Sequence, residues 1–142
     1  MKPLFCLWMV LISTFAVAQT DRMPLAVRKA FEGTWQYNQK YGTNTVRIRF
    51  EEGKDYALFT DIGNGMAPAR TLRAIPKGEL LVIPAKQHEN DYVELQIIKG
   101  KLHLKVRQVD WDENGKEIKA SNHSIEHQVF KRVKDIENTL KL

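Results

Sequence analysis

Apolar residues fall at every second position through most of this chain. In TVRIRFE, residues 45–51, Val46, Ile48 and Phe50 share one face, and Arg47, Arg49 and Glu51 share the other. In DYVELQI, residues 91–97, Val93, Leu95 and Ile97 oppose Tyr92, Glu94 and Gln96. In KLHLKVR, residues 101–107, Leu102, Leu104 and Val106 oppose Lys101, His103, Lys105 and Arg107. A period of two is the mark of strands that bury one face. Two stretches follow a helical period instead. MPLAVRKAFE, residues 23–32, predicts a short helix with Pro24 in its first turn. VKDIENTLKL, residues 133–142, predicts a second, with Val133, Ile136 and Leu140 on one side.

Between these ends the pattern predicts eight strands, at about 34–39, 44–51, 55–61, 69–75, 79–84, 91–98, 101–112 and 117–131. The turns between them are short, as in a meander. Lys99-Gly100 reads as a two-residue hairpin turn that pairs Ile97 with Leu102, Leu95 with Leu104 and Val93 with Val106. It also sets Glu94 against Lys105 outside. Asn114-Gly115 reads as a second such turn, closing between Glu113 and Lys116. That closure pairs Leu104 with Ile125, Val106 with His123 and Leu102 with His127, and puts all of them on the inner face. Its strand changes phase near residues 107–109, where a bulge is expected. The glycine-rich loop DIGNGMAPA, residues 61–69, lacks the Lys-Ser/Thr and the following helix of a phosphate loop, and reads as a long hairpin loop. The fold class expected is all-β: an eight-stranded antiparallel up-and-down barrel with short N-terminal and C-terminal helices, because closure removes exposed edges.

The first residues change the picture of where the fold starts. Residues 1–18 carry one Lys, an apolar run from Leu4 to Ile12 and a small-residue Ala16-Val17-Ala18 end, the layout of a secretory signal peptide. The expected mature chain is one domain, residues 19–142, in the periplasm or secreted. The single cysteine, Cys6, leaves with the signal, so the mature core holds without a disulfide. No second segment is long and apolar enough to span a membrane. The formal charge of +5 falls by one with Lys2, and the excess is scattered rather than interleaved with aromatics. That argues against nucleic acid as a partner.

The helix followed by Gly33-Thr34-Trp35 resembles the G-x-W signature that opens the first strand of lipocalins. The resemblance covers most of the mature chain as architecture and is nearest to small bacterial, calycin-type members. It implies that Trp35 plugs the closed end of the barrel and that Arg132, at the end of the last strand, packs across it. The second lipocalin motif, a T-D-Y-like segment, is not clearly present, since Asp55-Tyr56 stands in the wrong place. Avidins also open with Gly-Thr-Trp, but their sites use several tryptophans, and the mature chain has only Trp35 and Trp111.

By this resemblance, the function expected is binding of a small hydrophobic or amphipathic molecule inside the barrel. Phe50, Tyr56, Leu58, Leu95, Leu104 and Ile125 are the expected walls. His123 and His127 are read as satisfied polar groups at the barrel ends or as anchors for a ligand's polar head. A metal site is not expected: residues four apart on a strand stand about 13 Å apart, and His103 faces the other way. No cofactor is implied. No Ser-His-Asp or Cys-His grouping or inward carboxylate pair points to catalysis. The alternative is a non-enzymatic interaction or inhibitor module of the cell envelope, using the outer face or the loops on a protein partner.

Overall fold

The computed structural model describes residues 23–118 and 124–134. The expected signal peptide, His123 and the expected C-terminal helix beyond residue 134 lie outside the described residues; Val133, expected to begin that helix, ends the last strand instead, paired with Thr34.

One helix, α1 (Leu25–Phe31), precedes ten strands: β1 (Gly33–Gln39), β2 (Gly42–Phe50), β3 (Ala57–Gly63), β4 (Arg70–Lys77), β5 (Leu80–Ile83), β6 (Tyr92–Ile98), β7 (Lys101–Arg107), β8 (Asp110–Trp111), β9 (Glu117–Ile118) and β10 (Ile125–Val133). Eight of them close into an antiparallel barrel in the order β1-β10-β7-β6-β5-β4-β3-β2, while β8 and β9 form a separate two-stranded ribbon. Apart from β10, each barrel strand lies beside its neighbours in sequence, so the expected up-and-down barrel is what forms. No helix among the described residues is long and apolar enough to cross a membrane.

The alternation places the core. Val46 and Ile48 of β2, Ala57 and Phe59 of β3, Leu81 of β5, Leu95 of β6, Leu102 of β7 and Phe130 of β10 all bury inward. Trp35 of β1 is fully buried, and its indole Nε1 donates to the Phe31 carbonyl at 2.8 Å. Phe31 is fully buried too, so the last turn of α1 seals one end of the barrel. Arg28 and Lys29 in that turn suit the negative end of the helix dipole.

The Lys99-Gly100 turn does what its sequence implies. Ile98 pairs with Lys101, Ile97 with Leu102, Leu95 with Leu104, Val93 with Val106 and Glu94 with Lys105. Lys99 (φ 49°) and Gly100 (φ 74°) are both left-handed, as this turn requires.

The second turn corrects the expected register. Gly115 alone has positive φ, and the ribbon closes from Asp112 to Lys116, whose backbone N–H···O bond is 2.9 Å. The Asp112 carboxylate accepts from the amides of Asn114 (2.9 Å) and Lys116 (2.8 Å), which holds a three-residue loop. The ribbon is also detached from the barrel ladder, because β7 stops at Arg107 rather than running on through a bulge. There the Asp91 carboxylate takes the Val109 amide at 3.2 Å. Strand β10 therefore pairs independently of the turn: Ile125 with Arg107, His127 with Lys105, Gln128 with Leu104, and Phe130 with Leu102. This differs from the expected ladder by an odd number of residues, so every side chain of β10 changes face. Glu126, Gln128 and Phe130 point inward. Ile125 and His127, expected inside, point out.

Candidate functional site

The end of the barrel capped by α1 is full. The gap there among Met23, Arg28, Phe50, Lys54, Asp55 and Pro76 measures only about 10 Å³, room for at most one water. The opposite end is open. A cavity of about 380 Å³ lies there, with a floor of Val46, Phe59, Leu72, Val93, Leu104 and Val106. Its mouth is polar, built from Asn44, Asp61, Arg70, Glu89, Asn90, Asp91 and Gln128.

The mouth follows from the same alternation that builds the core. Asp61 continues the inward series Ala57, Phe59 on β3, and it is set beside Arg70, which begins the inward series Leu72, Ala74 on β4. Asn44 precedes Val46 on the inward face of β2, and its side-chain amide donates to the Gln128 Oε1 at 3.4 Å. Gln128 in turn donates to the Glu126 carboxylate at 2.6 Å. Arg70 reaches across to the backbone carbonyl of Glu89, in the loop between β5 and β6. That loop is held by a Lys86–Asn90 bridge and by Asn90 donating to the Pro84 carbonyl at 2.8 Å. Two of the carboxylates already hold backbone: Asp61 accepts the Gly63 amide at 3.0 Å, and Asp91 accepts that of Val109. The mouth thus presents one guanidinium, three carboxylates (Asp61, Glu89 and Asp91) and three primary amides (Asn44, Asn90 and Gln128), most of them tied to one another or to backbone, above an apolar floor.

Strand β4 pairs with β5 only through Ile75–Lys77, so its first half is bonded on one side alone. A second groove of about 370 Å³ lies along this seam and shares Leu72, Glu89 and Asn90 with the cavity.

The expected ligand-contacting residues separate into groups. Leu104 lines the cavity. Leu95 is fully buried deeper in the core. Phe50 stands at the closed end with the Arg28 guanidinium 4.9 Å from its ring centroid. Leu58 lies opposite Arg49 and Arg73 on the outer face, between inward Ala57 and Phe59. Tyr56 is outside with it, its ring 4.6 Å from the Arg73 guanidinium. Ile125 is exposed on the outer face. His127 is outside as well, where its Nε2 meets Nδ1 of His103 at 3.0 Å. The pKa of His103 is lowered from the usual histidine value, first by desolvation at the sheet surface and then by His127, Lys105 and Lys101.

The pair expected to close the barrel is in place. Trp35 and Arg132 are cross-strand partners, and the guanidinium carbon lies 4.6 Å from the indole centroid. Arg132 also donates to three carbonyls at the end of α1: Ala30 at 2.6 Å, Glu32 at 2.7 Å and Lys29 at 3.3 Å.

Asn44, Asp61, Arg70, Asp91 and Gln128 were not expected at a site. For Asp61 and Arg70 the signal is a charged residue where an inward series of apolar residues meets a loop. The sequence matches no protein-family model, and no curated protein matches it significantly.

Proposed function

We propose that the mature chain is a secreted or periplasmic, lipocalin-like carrier that binds a small hydrophobic or amphipathic molecule without chemical conversion. The observation that carries this reading is the graded cavity: about 380 Å³, apolar below and polar at the mouth. That volume falls within the range of roughly 300–1,000 Å³ typical of small-molecule sites. Burial of a hydrocarbon part on Val46, Phe59, Leu72 and Leu104 supplies affinity at about 25 cal/mol per Å² of apolar surface. Arg70, Asn44 and Gln128 orient the polar end. Among the described residues the lining offers no Ser, Cys, His or Lys, and its titratable groups are Arg70 and the carboxylates of Asp61, Glu89 and Asp91. The helix-capped end with Trp35 beneath Arg132 supports the lipocalin likeness.

The test has two parts. The protein purified from its host is denatured, and the released small molecules are identified by mass spectrometry. Separately, the neutral apolar dye N-phenyl-1-naphthylamine is titrated into the stripped protein. A stoichiometric amphipathic species, or saturable dye binding lost in Leu104→Trp, supports the carrier. Neither ligand nor dye uptake overturns it and moves the reading to an interaction or inhibitor module, which a pull-down from the cell envelope then examines.

A further inference from the structure

We propose that His103 and His127 together form a surface site for a divalent transition metal, with copper(II) preferred. The two residues come from neighbouring strands: His103 from β7 lies opposite Val129, and His127 from β10 lies opposite Lys105. They are diagonal neighbours on one face, so their rings meet, with centroids 5.1 Å apart and planes inclined by 32°. Nδ1 of one and Nε2 of the other are 3.0 Å apart.

That separation is what a chelate needs. With metal–nitrogen bonds of about 2.0–2.1 Å, two nitrogens 3.0 Å apart subtend about 94° at the metal. A tetrahedral ion needs the nitrogens about 0.3 Å farther apart at the same bond length. The angle suits adjacent positions of a tetragonal copper(II) or nickel(II) ion, and copper(II) is also the strongest binder of the divalent series.

Loading the site turns both rings, because the hydrogen-bonded nitrogens point close to the line between them and a metal bonded to both sits about 1.4 Å off that line. In the metal-free pair one ring donates its N–H to the other. For both lone pairs to face a metal, that proton moves to the distal nitrogen of its own ring. Both rings stay neutral, and the site gains the charge of the ion. The remaining positions open to solvent. Gln96 stands opposite His103 on β6, on the same outer face. Lys101 and Lys105 flank His103 on β7 and oppose a cation, so two-point ligation is needed to hold it. A bound ion ties β10 to β7 across the outer face, and because it binds the folded state it stabilises the fold by mass action. The proposal does not depend on the cavity, which lies on the other side of the sheet.

The untagged protein is titrated with copper sulfate, nickel chloride and zinc sulfate, followed by calorimetry and, for copper, by electron paramagnetic resonance. The variants are His103→Gln, His127→Gln and His123→Gln, each checked for folding by circular dichroism. The expected result is one copper(II) per chain with a two-nitrogen signature and a raised Tm. Binding is expected to weaken by at least about tenfold in His103→Gln and in His127→Gln, because each loses the second, intramolecular contact. It should persist in His123→Gln, and copper should outrank nickel and zinc. Copper bound as tightly by either of the first two variants as by the native chain would overturn the proposal. So would a two-nitrogen signature that disappears in His123→Gln.

Discussion

The Arg132 guanidinium lies over the Trp35 indole, 4.6 Å from its centroid, and from that position donates to the carbonyls of Lys29, Ala30 and Glu32. One side chain from the last strand thus covers the plug of the first strand and caps the helix that seals the barrel. A charged donor on several carbonyls is worth more than an exposed ion pair. Arg132→Ala should destabilise the fold by about 2 kcal/mol. Arg132→Lys keeps the charge but loses the planar fork, and should recover less than half of that loss. Urea unfolding followed by tryptophan fluorescence reads both, and a lysine variant as stable as the native protein would contradict this account.

Gly33 lies under the same guanidinium. Its φ is +133°, a conformation that side chains disfavour, and a Cβ there would stand 3.5 Å from the Arg132 Nη1. Gly33→Ala should cost about 1–3 kcal/mol, mostly as backbone strain. The same substitution at Gly53 (φ +74°), with no heavy atom within 4 Å of its Cβ, gives the cost of the left-handed conformation for comparison. Because 3.5 Å is ordinary van der Waals contact and φ +74° is a milder conformation than +133°, Gly33→Ala should lose more than Gly53→Ala through backbone strain; equal losses would contradict that account.

The cavity makes a prediction that separates stability from binding. Leu104 is a floor residue with 7% of its surface exposed. Enlarging it to tryptophan fills space rather than forcing a packed contact. Leu104→Trp should therefore remain folded, within about 1.5 kcal/mol of the native protein, yet lose dye uptake. Arg70→Ala should leave binding of a purely apolar probe intact and weaken that of an anionic amphiphile by several-fold. Equal loss for both probes would show that Arg70 shapes the mouth and does not read the ligand.

His103 links stability to pH. Its pKa is lowered in the fold, so at mildly acidic pH the unfolded chain binds more protons than the folded one. The folded state thus loses stability as the pH falls through the ordinary histidine value of 6.5, down to the lowered one. Above that value the contribution is complete and flat. His103→Gln should remove this part of the slope, so native and variant should converge as the pH falls. Chemical denaturation at about pH 5, 6, 7 and 8 measures it. Parallel curves would show no differential protonation at His103.

How much could be read from the sequence depended on how directly each turn fixes its strands. Lys99-Gly100 joins two unbroken strands by a two-residue loop, and the register of β6 against β7 followed from it, though β7 ends at Arg107 and not at residue 112. The turn at Gly115 joins a ribbon that is cut off from β7 beyond Arg107, so nothing in its geometry reaches β10. The buried position of Phe130 opposite Leu102 decides that register instead. Reading outward from the turn put His127 inside, and with it removed the one pairing with His103 that chemistry could use. The closed end was legible because Trp35 and Arg132 belong to a recognisable pattern. The mouth was not, because Arg70 reaches the Glu89 carbonyl only through the fold of the loop between β5 and β6. A hairpin loop read from composition gives no distance across a barrel.

The ring of strands is completed by its first and last members, through Thr34–Gln36 of β1 and Lys131–Val133 of β10. A growing chain can form the six strands between these two by local hairpins. Yet β1 and β7 both keep a bare row of amides and carbonyls until the final stretch emerges. Such edges invite pairing with a second chain. A nonsense or proteolytic loss of residues after 124 would thus leave an open seven-stranded sheet, and its fate would be self-association. The last nine residues of the barrel keep all the other strands from pairing with a second chain.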